Sequence, residues 1–300
     1  MGRLTVLTAD EVESIHVATL RVLSEVGIVL THSKARALLT GAGATGRGDR
    51  ILLPPDLVEQ RLGGCPRQVT MRGRDGQPVV IGDDSLHWHN VGGAREVHDT
   101  VSDQRRPATV QDVRDSTLLL DAQDSVSTIT PLFTPQDVPG PLMSLAMYRH
   151  TVSNTTKPVQ GPAVHSAHEV RHIARMAAVL GPPPEVLTSA ISPVSPLFFP
   201  DDVAEAIMET ADLGIPLGPL PCPIAGATSP MSLAGSLVQQ NAEILATVVL
   251  AQLVRPGLLI VYCGRLSVME PRTGISVWGG VEVGLTPAAT VKIATATDCL

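Results

Sequence analysis

Three hundred residues with 44% apolar content suffice for one large domain or two of ordinary size. A net charge of −7 argues against nucleic acid, whose binding needs a basic footprint. No apolar run reaches the ~18 residues of a membrane span: the longest, residues 244–254, is broken by Gln252 and stopped by Pro256, so no membrane partner is expected. Cys65, Cys222, Cys263 and Cys299 are far apart with no CxxC pair, which predicts thiols in a reducing compartment and neither a zinc knuckle nor a disulfide frame. Asp10, Glu11 and Glu13 precede any apolar block, so a signal peptide is not expected and a cytoplasmic location is.

Residues 8–26 read as an amphipathic helix, opened by a Thr8/Glu11 capping box, with Ile15, Thr19, Val22, Leu23 and Val26 as its stripe and Gly27 as its stop. A short helix follows over 34–40, then a strand at 51–53, and a helix from Pro54-Pro55 to Leu62 that Cys65-Pro66 breaks. Residues 69–72 and 79–81 read as strands joined by Gly73-Arg74-Asp75-Gly76, a hairpin signal.

His87-Trp88-His89 superficially resembles the HxH that opens the metal site of amidohydrolase barrels. Such a site needs further His and Asp ligands after later strands, where this chain offers Pro, Ser, Gly and Tyr. No metal is therefore expected, and surface or supporting histidines beside a Trp88 pocket wall are the plainer reading. Residues 99–107 read as a charged turn, and Thr109 with Asp112 opens a helix to about 120.

A domain change is placed between residues 122 and 123, separating an amino-terminal α+β region (1–122) from a barrel-type region (123–300). Strands near 127, 158, 187, 215 and 258 alternate with helices, the pattern of a (β/α)8 TIM-type barrel that is incomplete at its carboxyl end. Lys157 reads either as a helix-exit cation or as part of a functional connection. His165, His168 and His172 have ligand-like spacing, yet Glu169 and Arg171 between them fit an exposed helix face better.

The most informative stretch runs from 214 to 264: an apolar strand, a Pro/Gly-rich loop, a long helix and a second buried strand, hence a βαβ unit. Ser229 reads as the helix N-cap with Pro230 at the first position, and Arg255-Pro256-Gly257 as the stop. Leu237, Asn241, Ile244, Leu245 and Val248 share one face, Ser236, Gln240, Glu243 and Thr247 another, and Gly235, Gln239, Ala242 and Ala246 a third suited to close packing. Glu243 is open between a solvated carboxylate and a functional one, whereas an amide such as Asn241 on an apolar face needs partners. After a loop-rich 265–280, Pro287 is expected to open a last helix over 288–297.

The pieces SPMSLAG, QQNAEILA, VLAQL, PG and YCG, in this order, resemble the core of the trimethylamine methyltransferase family. IHVATLRVLSEVGI, LLPPDLVEQRL, CPRQVTMRGRDG, Asn154-x-x-Lys157 and Ser195-Pro196-Leu197 extend the likeness. These are corrinoid-dependent enzymes, with and without pyrrolysine. The resemblance implies methyl transfer from a methylated amine, trimethylamine or a betaine, to the Co(I) of a partner corrinoid protein, with no cofactor bound directly. In the family the barrel continues past residue 300, where some members carry pyrrolysine. A truncated, non-catalytic homologue and a metal-dependent hydrolase using His87 and His89 stand as alternatives, and homo-oligomerisation is left open. Active sites of such barrels lie at the C-terminal strand ends, and cationic amines are held by aromatic faces and carboxylates. The residues expected to bind substrate are therefore Tyr262, Gly264, Trp88, Gly226, Thr228, Ser229, Asn241 and Glu243.

Overall fold

The computed structural model describes residues 5–83 and 85–296, so Cys299 and the end of the expected last helix lie outside the described residues. Helix α1 (Ala9–Arg21) carries the full capping box, with Thr8 and Glu11 bonded reciprocally. The expected single helix over 8–26 changes register at Arg21: residues Val22–Val26 form a π turn that ends at Gly27. Gly27 has φ +71°, and a Cβ there would meet the Ile51 carbonyl oxygen at 2.3 Å, so the turn requires glycine. Strand β1 (Ile28–Leu30), helix α2 (Ser33–Gly41), strands β2 (Thr45–Arg47) and β3 (Arg50–Leu52), helix α3 (Pro55–Leu62) and the hairpin of β4 (Val69–Arg72) and β5 (Pro78–Ile81) follow.

Next comes strand β6 (Trp88–His89). The expected charged turn is instead a hairpin of β7 (Glu96–Asp99) and β8 (Gln104–Pro107), because Arg106 in β8 reaches forward to clamp Asp112 with two bonds of 2.7 Å. Helix α4 (Val110–Asp121) leads to β9 (Val126–Thr128), α5 (Met143–Val152) to β10 (Val159–Ala163), and α6 (Ala167–Ala177) with α7 (Pro183–Val186) to β11 (Leu187–Ile191). After β12 (Phe198–Phe199), helix α8 (Asp201–Asp212) leads to β13 (Leu217–Pro219) and β14 (Ile224–Ala225). Helix α9 (Leu233–Val254), the strands β15 (Ser267–Glu270) and β16 (Ile275–Val277), and helix α10 (Val281–Ala296) complete the described chain.

The pairings give the architecture. β6 is parallel to β9, Ile129 bridges in parallel to Val159, β10, β11 and β13 form a parallel ladder, and Leu217 bridges in parallel to Ile260. One parallel succession thus runs β6, β9, β10, β11, β13 and the segment around Ile260, with a helix in every connection. The two-residue β6 adds a member before the five strands expected from sequence, and it pairs across the expected 122/123 boundary. Its ends are not paired to each other among the described residues. The amino-terminal region joins this body through β1, which is antiparallel to β3 and parallel to β12.

Helix α9 is the axis of the core. It is long and apolar enough to match a membrane span by length and composition alone, yet it is buried against α1, α3 and α8. Ile244, Leu245 and Val248 are fully buried, each worth about 1.5–3 kcal/mol of apolar transfer. Its N-cap is Ser232, which accepts from the Gly235 N–H, and not Ser229. Ser229 is held in the turn after β14, where its N–H bonds to the Ile224 carbonyl and its hydroxyl meets Ser236 Oγ at 2.7 Å. Helix α10 likewise begins seven residues before the expected 288, and Pro287 sits inside it. Past the first turn, the proline lacks the N–H that would answer a carbonyl of the preceding turn, a cost the rest of the helix bears.

Candidate functional site

A helix buried on every side must bond each of its polar side chains internally. In α9 these are Ser236, Gln239, Gln240, Asn241, Glu243, Thr247 and Gln252, all buried. The partners of Gln239, Gln240, Asn241 and Glu243 trace two clusters beyond the C-terminal ends of the parallel strands.

Glu243 centres the first. Its Oε1 accepts from the Leu197 N–H at 2.9 Å and from Gln239 Nε2 at 3.1 Å, and its Oε2 accepts from Ser195 Oγ at 2.8 Å. Leu197 holds φ +54°, a left-handed conformation that costs about 1–2 kcal/mol for a residue with a Cβ. The charge-assisted bond to its N–H offsets that cost. Burial pushes the Glu243 carboxyl above its ordinary pKa, and the Leu197, Ser195 and Gln239 donors pull it partly back. Gln239 Nε2 also donates to the Thr228 carbonyl at 2.9 Å, while Thr228 Oγ1 accepts from the Ile224 N–H. One carboxylate and one amide therefore pin the loop after β11 to the loop after β13.

Tyr262 centres the second cluster. Its hydroxyl donates to Asn241 Oδ1 at 2.7 Å, Asn241 Nδ2 donates to Thr19 Oγ1 at 3.0 Å, and Thr19 Oγ1 donates to the Ile15 carbonyl at 2.8 Å. The tyrosine is turned into the helix layer, and the buried amide is answered from α1. Gly264 is glycine because a Cβ would lie 2.6 Å from both Gln240 Nε2 and Thr290 Cγ2. Gln240 Nε2 donates to Thr290 Oγ1 at 3.0 Å, while its buried Oε1 has no partner among the described residues.

Cys222, just past β13, and Arg265, just past Gly264, lie within electrostatic reach of each other. Burial raises the Cys222 thiol pKa; Arg265 lowers it and Glu243 raises it, so the thiol feels both charges. The Arg265 guanidinium stands 5.3 Å from the centre of the Trp278 ring. Burial pushes the Cys263 thiol up to about 12. Gly226 has φ +86° and packs against Met231.

Of the residues expected from sequence, Thr228, Ser229 and Gly226 share the loop that Gln239 ties to Glu243, while Asn241 and Tyr262 bond to each other. Trp88 stands apart on β6, 61% exposed. His87 faces Asp83 at 3.3 Å and His89 Nδ1 lies 3.0 Å from the Asn90 carbonyl, and no group of three metal-ligating side chains forms among the described residues. His168 and His172 meet edge to face on α6. Lys157 donates to the Leu120 and Gln123 carbonyls, closing the end of α4. Gln239, Ser195, Arg265 and Trp278 were missed. Gln239 was hidden by its small-residue stripe, but a buried amide next to an acid one turn on was a signal available in the sequence.

The family model described as trimethylamine methyltransferase (MTTB) matches residues 1–299. A glycine betaine methyltransferase of Desulfitobacterium hafniense (strain Y51) is 29% identical over 306 residues, covering 98% of this chain and 64% of that protein. The trimethylamine methyltransferase MttB of Desulfitobacterium hafniense (strain DSM 10664 / DCB-2) is 27% identical over 294 residues, covering 95% of this chain and 59% of that protein. The chain thus spans about three fifths of the length of these curated relatives. Among solved structures, a hydroxylamine complex of MtmB superposes with a TM-score of 0.65 at 15% identity, over 98% of this chain and 61% of that one. The Methanosarcina barkeri monomethylamine methyltransferase MtmB superposes with a TM-score of 0.58 at 13% identity, over 97% of this chain and 65% of that one. At these identities the structural likeness concerns the fold alone.

Proposed function

The chain belongs to the trimethylamine methyltransferase family, and from that premise we propose that it moves a methyl group from a methylated amine to the Co(I) of a separate corrinoid protein. The match over residues 1–299 carries this reading; the geometry supports a location for it. The parallel succession from β6 to Ile260 is read as an arc of a (β/α)8 barrel, whose chemistry lies at the C-terminal strand ends. There the Gly226–Ser229 loop, Gly264 and the Glu243 cluster would surround the amine, Tyr262 and Asn241 would brace the last strand from behind, and Trp88 would offer an aromatic wall from β6. The corrinoid is a co-substrate and not a resident group. A cytoplasmic location, with Cys222 and Cys263 as free thiols, belongs to the same reading.

The electron balance suits such a site. The cobalt pair forms the new bond to carbon while the C–N pair leaves with nitrogen. A quaternary donor departs as a neutral tertiary amine and needs no proton, so the site has only to hold a cation with one methyl outward. Aromatic faces and carboxylates do this, at about 0.5–2 kcal/mol per cation–π contact. The test is demethylation of trimethylamine and glycine betaine by the full-length gene product with a reduced corrinoid acceptor. The reading expects a stoichiometric yield of methylated acceptor and demethylated amine with at least one donor. No turnover with any methylated amine, under conditions where a family member is active, overturns it.

A further inference from the structure

Helix α6 carries two side chains that the amine site does not use. Ala167, Val170, Ile173, Ala174 and Ala177 are its buried residues. His168 and His172 fall together on the outer side, four residues apart, the first exposed and the second half-buried. Their ring centres are 4.3 Å apart, with the ring planes inclined at 69°. Ser166 Oγ accepts from the Glu169 N–H at 3.3 Å, which caps the turn that spaces the two rings.

Two imidazoles at this separation suit one kind of coordination. A metal about 2.1 Å from one nitrogen of each ring sets the ring centres roughly 4.5 Å apart when the two bonds meet at a right angle, and roughly 5.2 Å apart at the tetrahedral angle. The observed spacing is close to that of the right angle. Adjacent positions around Ni2+ or Cu2+ have that geometry, and imidazole suits both ions.

The run His168-Glu169-Val170-Arg171-His172 has the spacing of a zinc-peptidase helix, in which the glutamate is the general base. Here Glu169 is committed elsewhere, its Oε2 accepting from the His165 N–H at 3.1 Å. No third ligand joins the pair among the described residues. Arg171 pairs with Glu209 at 2.8 Å. Arg175, on the same side one turn past His172, adds positive charge. It disfavours ions held by charge alone, such as Mg2+ or Ca2+, and leaves those that bond to imidazole nitrogen.

We propose that His168 and His172 form a two-histidine clip that chelates one Ni2+ or Cu2+ ion on the outer face of α6, with water in the remaining positions. The site binds metal without peptidase chemistry and shares no residue with the amine site.

The test uses Ni2+ alone, added to the whole protein below one equivalent while the ring-proton signals of its nine histidines are followed by NMR. The paramagnetic ion is expected to remove the His168 and His172 signals together and before the others. Loss that begins at any other histidine overturns the proposal. Calorimetry then compares variants. Loss of a partner outside the ligand shell already costs about 10–100-fold in metal affinity, so His168→Ala and His172→Ala should each weaken Ni2+ at least about ten-fold. His165→Ala should leave the affinity unchanged. Nickel held equally by the unaltered protein and both ligand variants, or zinc held as tightly as nickel, overturns the clip. The NMR arm needs no variant, so an unstable substitution leaves the decision intact.

Discussion

Glu243 is a carboxyl group that burial has made harder to ionise, and its effect on stability has a definite sign. Its native pKa is raised, so its contribution is fully present below the unfolded value of about 4.3 and is lost as pH rises through the native value. Glu243→Gln should flatten the stability profile in that window, followed as urea midpoints from pH 4 upward. The glutamine oxygen can still accept from Leu197 and its amide can donate to Ser195, so the loop should hold. A profile unchanged by the substitution would show that the buried acid is not what titrates. Sequence reasoning left this residue open because a helical wheel cannot tell a solvent face from one covered by a distant loop. Ser195 lies 48 residues away from it.

Helix α9 shows what was legible in the chain and what was not. Its C-terminal stop and its apolar face were plain, and Asn241 was correctly flagged as an amide in need of partners. The partners came from opposite ends of the molecule, Thr19 on α1 and Tyr262 at the last strand, so no local pattern named them. Tyr262→Phe removes the donor to Asn241 and leaves a buried amide oxygen unanswered, which should cost about 1–3 kcal/mol in denaturant unfolding. Full stability in that variant would mean that the strand end and α9 are held together by packing alone. Capping boxes at Thr8 and Thr109 were readable because they are contiguous. The N-cap of α9 was misplaced by three residues, since Ser229 and Ser232 are chemically alike and only the fold of the preceding turn separates them. Strand β6 was missed as a strand because two residues carry no periodicity, and the β7–β8 hairpin because its Arg and Asp residues read as solvated charge.

The parallel α/β order of the whole molecule was visible as an alternation of elements, whereas its seams were not. Strand β1 pairs with β12, Thr31 bonds to Asp201 at 2.6 Å, β6 pairs with β9, and the Thr19–Asn241 bond crosses as well, so the two halves expected from sequence are joined at several places. Residues 123–300 expressed alone should therefore lose the cover that α1, α2 and α3 give to α9, bind an apolar dye strongly and unfold without a sharp transition. Cooperative unfolding of that fragment would instead establish the boundary near residue 122 as a true domain edge. The Thr19–Asn241 bond also orders events in time. The two residues are 222 positions apart, and at a ribosomal rate of about 5–20 residues per second the first waits roughly 10–45 s for the second. During that interval α1 is already made but lacks α9 to lie against, its apolar stripe facing solvent or a chaperone. An element made well before α9 is thus seated only once α9 has followed it, and a nascent chain stalled short of α9 should be more open to proteolysis than the finished one.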